Sequence, residues 1–298
     1  MTAANPQAGD GAKRPFDLVI LDLDGTVQDL YHHAPISDAV KSAIAAVQAA
    51  GIPVTIATGR TLDYVRQHIA QLGITTPVVT TQGAVVGDPV SGKILSETTL
   101  PISLARQAAA WIDAQPYITA FYFNDDEEHI QIYQNRTGDD SEENVAFLDH
   151  VFGFPRAIHT PFSPMFAADD AHAPLKFIVV EDRERYHVDV LAELTERFSP
   201  TLTITRTHPR LVEGTAQDVD KGMGVLHLCE LLGIDPQRVL AIGDSDNDIP
   251  MLKVVGLGVA MGNSTPGVIA AASYNAPSVA ENGVAVALQD LILRHITA

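Results

Sequence analysis

The feature that most limits the fold of this chain is a short apolar run that ends in two aspartates. Residues 16–23 read FDLVILDL, and the motif D-L-D-G-T occupies residues 22–26. A β-branched, apolar run of this length is typical of a strand that is buried on both faces. Such strands occur in parallel sheets covered by helices, so the run favours an α/β fold.

Predicted strands and helices alternate at both ends of the chain. After the first strand, Ser37 is the predicted N-cap of a helix, and a second helix is predicted at residues 61–73 between two apolar strands. The same rhythm resumes with a helix from Asp220 and a strand at residues 238–242. This alternation predicts a doubly wound, Rossmann-like parallel sheet.

The middle of the chain lacks this alternation and is predicted to form an inserted α+β domain. Residues 118–125 and 128–135 read as an antiparallel hairpin, and residues 183–198 as a single helix. The predicted organisation is therefore an α/β fold with a disordered leader at residues 1–15, a core domain at 16–84 and 215–298, and the inserted domain at 85–214.

Asp22 and Asp24 stand two residues apart, so on a strand both side chains face the same side. Two close carboxylates repel each other, and one is protonated unless a cation lies between them. Carboxylate oxygens are the ligands that Mg²⁺ prefers. A solvated acidic turn would have the same spacing, so the motif alone leaves that alternative open.

Two further segments carry candidate phosphate-binding groups. Thr58 and Gly59 follow the second predicted strand, where a hydroxyl and free backbone amides can bind an anion. Lys221 lies in the first turn of a predicted helix, where the helix dipole disfavours a cation, and a bound phosphate would explain it. Ordinary turn chemistry at Thr58 and a surface lysine at position 221 are the alternatives for each segment alone.

The strand at residues 238–242 is followed by three aspartates within five residues, Asp244, Asp246 and Asp248. Their repulsion at neutral pH favours a divalent cation. A calcium loop of the EF-hand type does not fit, because the glycine at its sixth position and the glutamate at its twelfth are absent. An acidic loop that only caps a helix is the remaining alternative.

At these residues the chain resembles the haloacid dehalogenase superfamily of phosphatases, and within it the Cof-type subclass IIB. The motifs that carry the resemblance are D-L-D-G-T at 22–26, A-T-G-R at 57–60, D-K-G at 220–222 and G-D-S-D-N-D-I-P-M-L at 243–252. The resemblance implies that the inserted α+β domain is a cap. Gln82 departs from the pattern, because the subclass usually has Asn before Gly-Ala at this point.

The resemblance also implies a role for each candidate residue. Asp22 would be the nucleophile that forms an aspartyl phosphate, and Asp24 would be the acid/base. The residues that bind the substrate phosphate would be Thr58, Gly59, Lys221 and Asn247. The cofactor Mg²⁺ would be held by Asp22, by the backbone carbonyl of Asp24, by Asp244, and by Asp248 either directly or through water.

These roles predict a magnesium-dependent phosphatase that hydrolyses small phosphate monoesters, such as sugar phosphates, through an aspartyl-phosphate intermediate. Two alternatives stay open. One is a phosphomutase or phosphotransferase of the phosphomannomutase type, which would keep the site and change the acceptor. The other is a phosphate-binding regulatory protein without catalysis.

Composition limits the partners and the compartment. The net charge of −18 opposes contact with nucleic acid and with anionic membranes, so the expected partner is a small phosphorylated molecule. A single cysteine, Cys229, and an N-terminus without an apolar segment favour the cytosol. The acidic run at residues 125–128 and the loop histidines His32 and His33 are expected to be solvated. The sequence carries no signal for the oligomeric state.

Overall fold

The structure, a computed structural model of the chain, describes residues 14–29, 34–124, 130–138, 142–153 and 156–296. Three sequence-based expectations therefore lie outside the described residues, in whole or in large part. They concern the leader, of which only the last two residues are described, the histidines His32 and His33, and the acidic run at residues 125–128.

The first half of the chain contains eight strands and four helices among its described residues. In chain order they are β1 (Leu18–Leu21), α1 (Asp38–Ala49), β2 (Val54–Ile56), α2 (Leu62–Leu72), β3 (Val78–Thr80), β4 (Val85–Gly87), β5 (Ile94–Glu97), α3 (Ile102–Asp113), β6 (Ile118–Asn124), β7 (Ile130–Gln134), α4 (Glu142–Phe152) and β8 (Arg156–Ile158).

The described part of the second half continues the same numbering. Its elements are β9 (Lys176–Val180), α5 (Arg183–Tyr186), α6 (Val190–Phe198), β10 (Leu202–His208), β11 (Leu211–Ala216), α7 (Lys221–Leu232), β12 (Val239–Gly243), α8 (Ile249–Val254), β13 (Leu257–Ala260), α9 (Pro266–Ala271), β14 (Tyr274–Asn275), α10 (Gly283–Leu288) and α11 (Arg294–Ile296). A π-helical stretch, Gln289–Leu293, joins α10 to α11.

The core is a five-stranded sheet in the order β14-β13-β12-β1-β2, and every strand pair in it is parallel. Side chains alternate between the faces of β1. Val19 and Leu21 pack in one apolar cluster with α1, α2 and α10, whereas Leu18 and Ile20 pack in another with α7, α8 and α9. Helices thus cover both faces, which confirms the predicted α/β class and explains why the strands are apolar throughout.

Helix α1 shows how local sequence places one of these covering layers. Ser37 is its N-cap, and the Ser37 hydroxyl accepts a hydrogen bond from the Val40 amide at 3.2 Å, as predicted. Val40, Ile44 and Val47 form its buried face, and burial of each such side chain stabilises the fold by about 2 kcal/mol.

A second sheet has six strands in the order β10-β11-β9-β6-β7-β8, antiparallel except between β7 and β8. The predicted hairpin is confirmed as β6 and β7. Alternation along β9 places Phe177 and Val179 in an apolar cluster with α3 and α6. Lys176 and Ile178 therefore face the other side, where they line a cavity.

The structure differs from the sequence-based predictions in three segments. Helix α4 and strand β8 were not predicted. The single helix predicted at residues 183–198 is two helices, because His187 adopts a left-handed backbone (φ 54°) and Asp189 caps a new start. Strand β3, predicted in the parallel core sheet, forms a separate antiparallel sheet with β4 and β5 in the order β3-β4-β5. The exact domain boundaries stay a prediction.

Two other observations concern the single cysteine and the length and polarity of the helices. Cys229 is buried, and burial together with Asp235 raises the pKa of its thiol to about 11. Among the described residues, the helices are all too short or too polar to traverse a bilayer.

The cap of α1 leads to a test of the fold. Substitution Ser37→Ala removes the acceptor for the Val40 amide and should lower the free energy of unfolding by about 1 kcal/mol, measured by urea denaturation. Ser37→Asp restores an acceptor and should retain most of the stability. Equal losses in the two variants would show that the cap does not stabilise α1.

Candidate active site

Asp22 lies directly after β1, an inner strand of the core sheet, and is almost fully buried. Its backbone amide donates to the Ile242 carbonyl of the neighbouring β12 at 2.9 Å, which extends the parallel pairing to the end of the strand. Its carboxylate accepts a hydrogen bond from Lys221 Nζ at 2.6 Å. The position expected for the nucleophile is therefore fixed from both the backbone and the side chain.

Lys221 joins Asp22 to Asp248. Its Nζ also donates to Asp248 Oδ1 at 2.6 Å, and all three side chains are buried. Burial opposes the charge on Lys221, but the two carboxylates outweigh that effect and raise its pKa. The predicted surface-lysine alternative is wrong, because Lys221 is only 2% exposed.

Asp248 is held on both of its oxygens. While Oδ1 receives Lys221, Oδ2 accepts from the backbone amides of Asp244 at 2.9 Å and Ser245 at 3.0 Å. The acidic loop after β12 is thus folded around Asp248, as in the helix-capping alternative. Capping accounts for Asp248, whereas the Asp244 carboxylate accepts from neutral donors: the Thr26 hydroxyl at 3.0 Å, the Ser245 hydroxyl at 3.2 Å and Asn263 Nδ2 at 3.4 Å.

Asp22, Asp244 and Asp248 form a group that could hold a metal ion. Each offers one carboxylate oxygen, and these oxygens all lie within 4.8 Å of one another. Burial and the Asp248 charge raise the pKa of Asp22 well above its usual range, and the same two causes raise that of Asp244 to about 7. Three buried carboxylates, of which Asp22 and Asp244 have raised pKa values, fit a hard divalent cation such as Mg²⁺.

Asp24 lies apart from this carboxylate group. Its side chain accepts from Arg60 Nη2 at 2.6 Å and from Arg60 Nε at 3.1 and 3.2 Å. Burial acts to raise the pKa of Asp24, but the Arg60 guanidinium outweighs it and holds that pKa below its usual range. The two aspartates of the first motif are therefore electrostatically unlike, and the proposed metal contact of Asp24 through its backbone carbonyl stays a prediction.

The predicted phosphate-binding residues line one cavity of about 370 Å³ together with Asp22 and Asp24. Thr58 is buried, and its hydroxyl accepts from the Arg60 amide at 3.2 Å. Asn247 donates from its side-chain amide to Gln82 Oε1 at 3.1 Å. The structure thus brings Thr58, Gly59, Lys221 and Asn247 together beside Asp22.

The six-stranded sheet and α4 supply the opposite wall of the cavity. Lys176 from β9 is buried, and its Nζ donates to Glu213 Oε2 at 2.6 Å and to the Gly59 carbonyl at 2.9 Å. This second bond crosses from the six-stranded sheet of the predicted cap, here called the cap sheet, to the predicted phosphate-binding turn. Other lining residues of this wall are Glu143, Phe147, His150, Thr207, His208 and Arg210.

Several residues around the cavity were not among the predicted site residues, for different reasons. Arg60 stands inside the A-T-G-R motif, so its contact with Asp24 could have been proposed from the motif itself. Lys176 and Glu213 alternate with apolar residues on neighbouring strands, but their pairing depends on strand order. Helix α4 was not predicted, so its residues were not considered.

The family profile of the haloacid dehalogenase-like hydrolases matches residues 19–288. The chain is 31% identical over 277 residues to a phosphoglycolate phosphatase of Methanopyrus kandleri, a match that covers 92% of this chain and 97% of that protein. It is 29% identical over 279 residues to the 5-amino-6-(5-phospho-D-ribitylamino)uracil phosphatase YcsE of Bacillus subtilis, with 93% and 96% coverage.

Solved structures agree with the fold. A haloacid dehalogenase-like hydrolase from Bacillus subtilis superposes with a TM-score of 0.77 at 25% identity, covering 93% of this chain and 100% of that one. The subclass IIB sugar phosphatase BT4131 superposes with a TM-score of 0.71 at 22% identity, covering 92% and 98%. The chain therefore belongs to the haloacid dehalogenase-like hydrolase family, in its Cof-type subclass, and is a phosphatase of that family.

Proposed function

We propose that the protein hydrolyses small phosphate monoesters in a magnesium-dependent reaction through an aspartyl phosphate on Asp22. One observation carries the proposal. The Asp22 carboxylate is held by Lys221, belongs to the three-carboxylate group, and lines the cavity that also contains the predicted phosphate-binding residues. A nucleophile, a cation and anion-binding groups thus meet at one point, as phosphoryl transfer requires.

In the proposed first step a carboxylate oxygen of Asp22 forms a bond to phosphorus while the bond from phosphorus to the ester oxygen breaks. Asp24 gives its proton to the leaving oxygen. In the second step a water molecule attacks the phosphorus of the acyl phosphate, and Asp24 takes a proton from that water, which restores both aspartates. The Arg60 contacts favour the carboxylate form of Asp24, which is the form that the second step needs.

The other residues would stabilise the negative charge on the phosphate during the reaction. Lys221 lies against Asp22 and would approach the phosphoryl oxygens, while Thr58, Gly59 and Asn247 would hold the phosphate from the opposite side. Asp22, Asp244 and Asp248 would hold Mg²⁺. When bound, the ion would neutralise charge on the carboxylates and on the transferring phosphate.

The cavity supports a small substrate. A volume of about 370 Å³ lies at the lower end of the range of ligand pockets. Relatives named for phosphoglycolate and for a ribityl phosphate, and a structural neighbour named as a sugar phosphatase, all bear names for small phosphate monoesters. We therefore place the substrate among phosphorylated metabolites. We also propose a cytosolic location, which the single cysteine favours.

The proposed nucleophile can be tested with para-nitrophenyl phosphate. Hydrolysis should require added Mg²⁺, stop with excess EDTA, and fall by roughly a thousandfold or more in Asp22→Asn, because the amide cannot form the acyl phosphate. Full activity in that variant would overturn the mechanism. Phosphate binding without turnover in the wild-type protein would instead support the regulatory alternative.

The metal site can be tested by two substitutions in the same loop. Asp244→Asn removes a charge from the three-carboxylate group and should weaken Mg²⁺ binding by about tenfold or more, measured by calorimetric titration. Asp246→Asn is the matched control, because Asp246 is exposed and accepts from Thr265 instead. Equal weakening in the two variants would mean that general loop charge, not a ligand at Asp244, binds the ion.

The acceptor of the phosphoryl group distinguishes hydrolysis from transfer. With a labelled phosphate monoester we expect release of inorganic phosphate and no labelled product when a free hexose or hexose monophosphate is added. The measurement is separation of labelled products by ion-exchange chromatography. Formation of a sugar bisphosphate would favour the phosphomutase alternative.

A further inference from the structure

Gln82 lies in a strained turn that joins β3 to β4. Three successive residues have left-handed backbone angles, Thr81 at φ 54°, Gln82 at φ 59° and Gly83 at φ 92°. The turn packs against the start of α7, because a Cβ on Gly83 would lie 1.9 Å from the Asp220 carbonyl oxygen. Strain held at two non-glycine residues commonly marks a functional position, and here it presents a buried polar side chain.

The side-chain amide of Gln82 makes one hydrogen bond to each side of the boundary. Its Nε2 donates to Glu213 Oε1 of the cap sheet at 3.3 Å, a long contact. Its Oε1 accepts from Asn247 Nδ2 of the core at 3.1 Å. Gly59 leaves room for this arrangement, since a Cβ there would lie 2.4 Å from Gln82 Nε2.

The direction of both bonds is determined by Glu213. This carboxylate accepts from Lys176 Nζ at 2.6 Å and from the Thr207 hydroxyl at 2.7 Å, and an ionised carboxylate has no proton to donate. Gln82 must therefore turn its NH₂ group to Glu213 and its carbonyl to Asn247. Asn247 must in turn present its own NH₂ group to Gln82.

This chain of bonds leaves Asn247 with a defined donor. One N–H of its amide is used by Gln82 and, among the described residues, Asn247 Oδ1 is buried without a partner. If Gln82 did not accept, the Asn247 amide could rotate and present its oxygen to the phosphate, which would repel it. An anion site needs the N–H side.

We propose that Gln82 is a positioning residue, which sets the amide orientation of Asn247 in the phosphate site according to Glu213 of the cap sheet. The inference rests on the proposed function, since it takes Asn247 to bind the substrate phosphate. It connects the position of the cap to the phosphate site. The N–H groups of the Asn247 side chain are held in a fixed orientation only while Glu213 contacts Gln82.

The test measures inorganic phosphate affinity by calorimetry in the presence of Mg²⁺, alongside KM and kcat for para-nitrophenyl phosphate. Gln82→Met keeps the size of the side chain but can neither donate nor accept. It should weaken phosphate binding and raise KM by about tenfold, with a smaller change in kcat, because a phosphate contact in both ground and transition states is affected. Gln131→Met is the control, because Gln131 is a half-buried cap glutamine outside the cavity, and it should behave as wild type.

Two further variants separate positioning from a structural role. Gln82→Gly relieves the left-handed strain while removing the amide, so it should keep a cooperative unfolding transition and still lose phosphate affinity. The phosphate affinity of the double variant Gln82→Met/Asn247→Ala should match that of Asn247→Ala within about twofold. The reason is that Asn247→Ala already removes the phosphate contact that Gln82 positions.

Wild-type phosphate affinity in Gln82→Met or Gln82→Gly, combined with a weakened Asn247→Ala, would overturn the inference and leave the proposed function standing. A double variant whose loss of phosphate affinity equals the product of the two single losses would also overturn the inference. Failure of the proposed function shows differently, as absence of hydrolysis by the wild-type protein, and the calorimetric comparison of the variants can still be made in that case.

Discussion

The ammonium group of Lys221 is the point on which the arrangement depends. It sits between two buried carboxylates, Asp22 and Asp248, in the first turn of a helix whose dipole opposes a cation there. Removal of either kind of charge would leave the other uncompensated in a buried place. The parallel sheet brings the ends of β1 and β12 side by side, and α7 delivers the lysine to that edge. Fold and chemistry thus share one requirement, which is to bring acids from distant parts of the chain to one cation.

The cap sheet places one positive and one negative side chain at this edge of the core sheet. Lys176 and Glu213 arrive on neighbouring strands as a buried ion pair, so they bring no net charge to the cavity. A buried pair of this kind contributes little net stability, since the attraction between the charges roughly offsets the loss of hydration. Its value here lies in specific contacts: Lys176 reaches the carbonyl of Gly59, and Glu213 reaches Gln82. The pair therefore connects the cap sheet to two segments at the predicted phosphate site, the turn at Gly59 and the turn at Gln82.

The sequence allowed prediction of β1, β2 and β12 of the core sheet, of the N-cap at Ser37 and of the residues that meet at the sheet edge, because each of these has a local signal. Apolar runs mark β1 and β12, and the motifs follow them directly. The pairs that cross the chain have no such signal. Gln82 and Glu213 are 131 residues apart, and only the order of strands in two different sheets brings them together. Lys176, in the predicted strand LKFIVVED, likewise has no local signal for its contact with the Gly59 carbonyl, 117 residues away.

The same limit applies to the pair of aspartates in D-L-D-G-T. Their spacing makes them equivalent in the sequence, whereas the structure gives them opposite surroundings. Asp22 faces two other carboxylates and one lysine, and its pKa is raised; Asp24 faces Arg60, and its pKa is lowered. A nucleophile benefits from a cation that neutralises its charge as it attacks, and the acid/base residue must be ionised when water attacks the intermediate. The division of roles between the two aspartates is therefore set by residues far along the chain, Lys221 for one and Arg60 for the other.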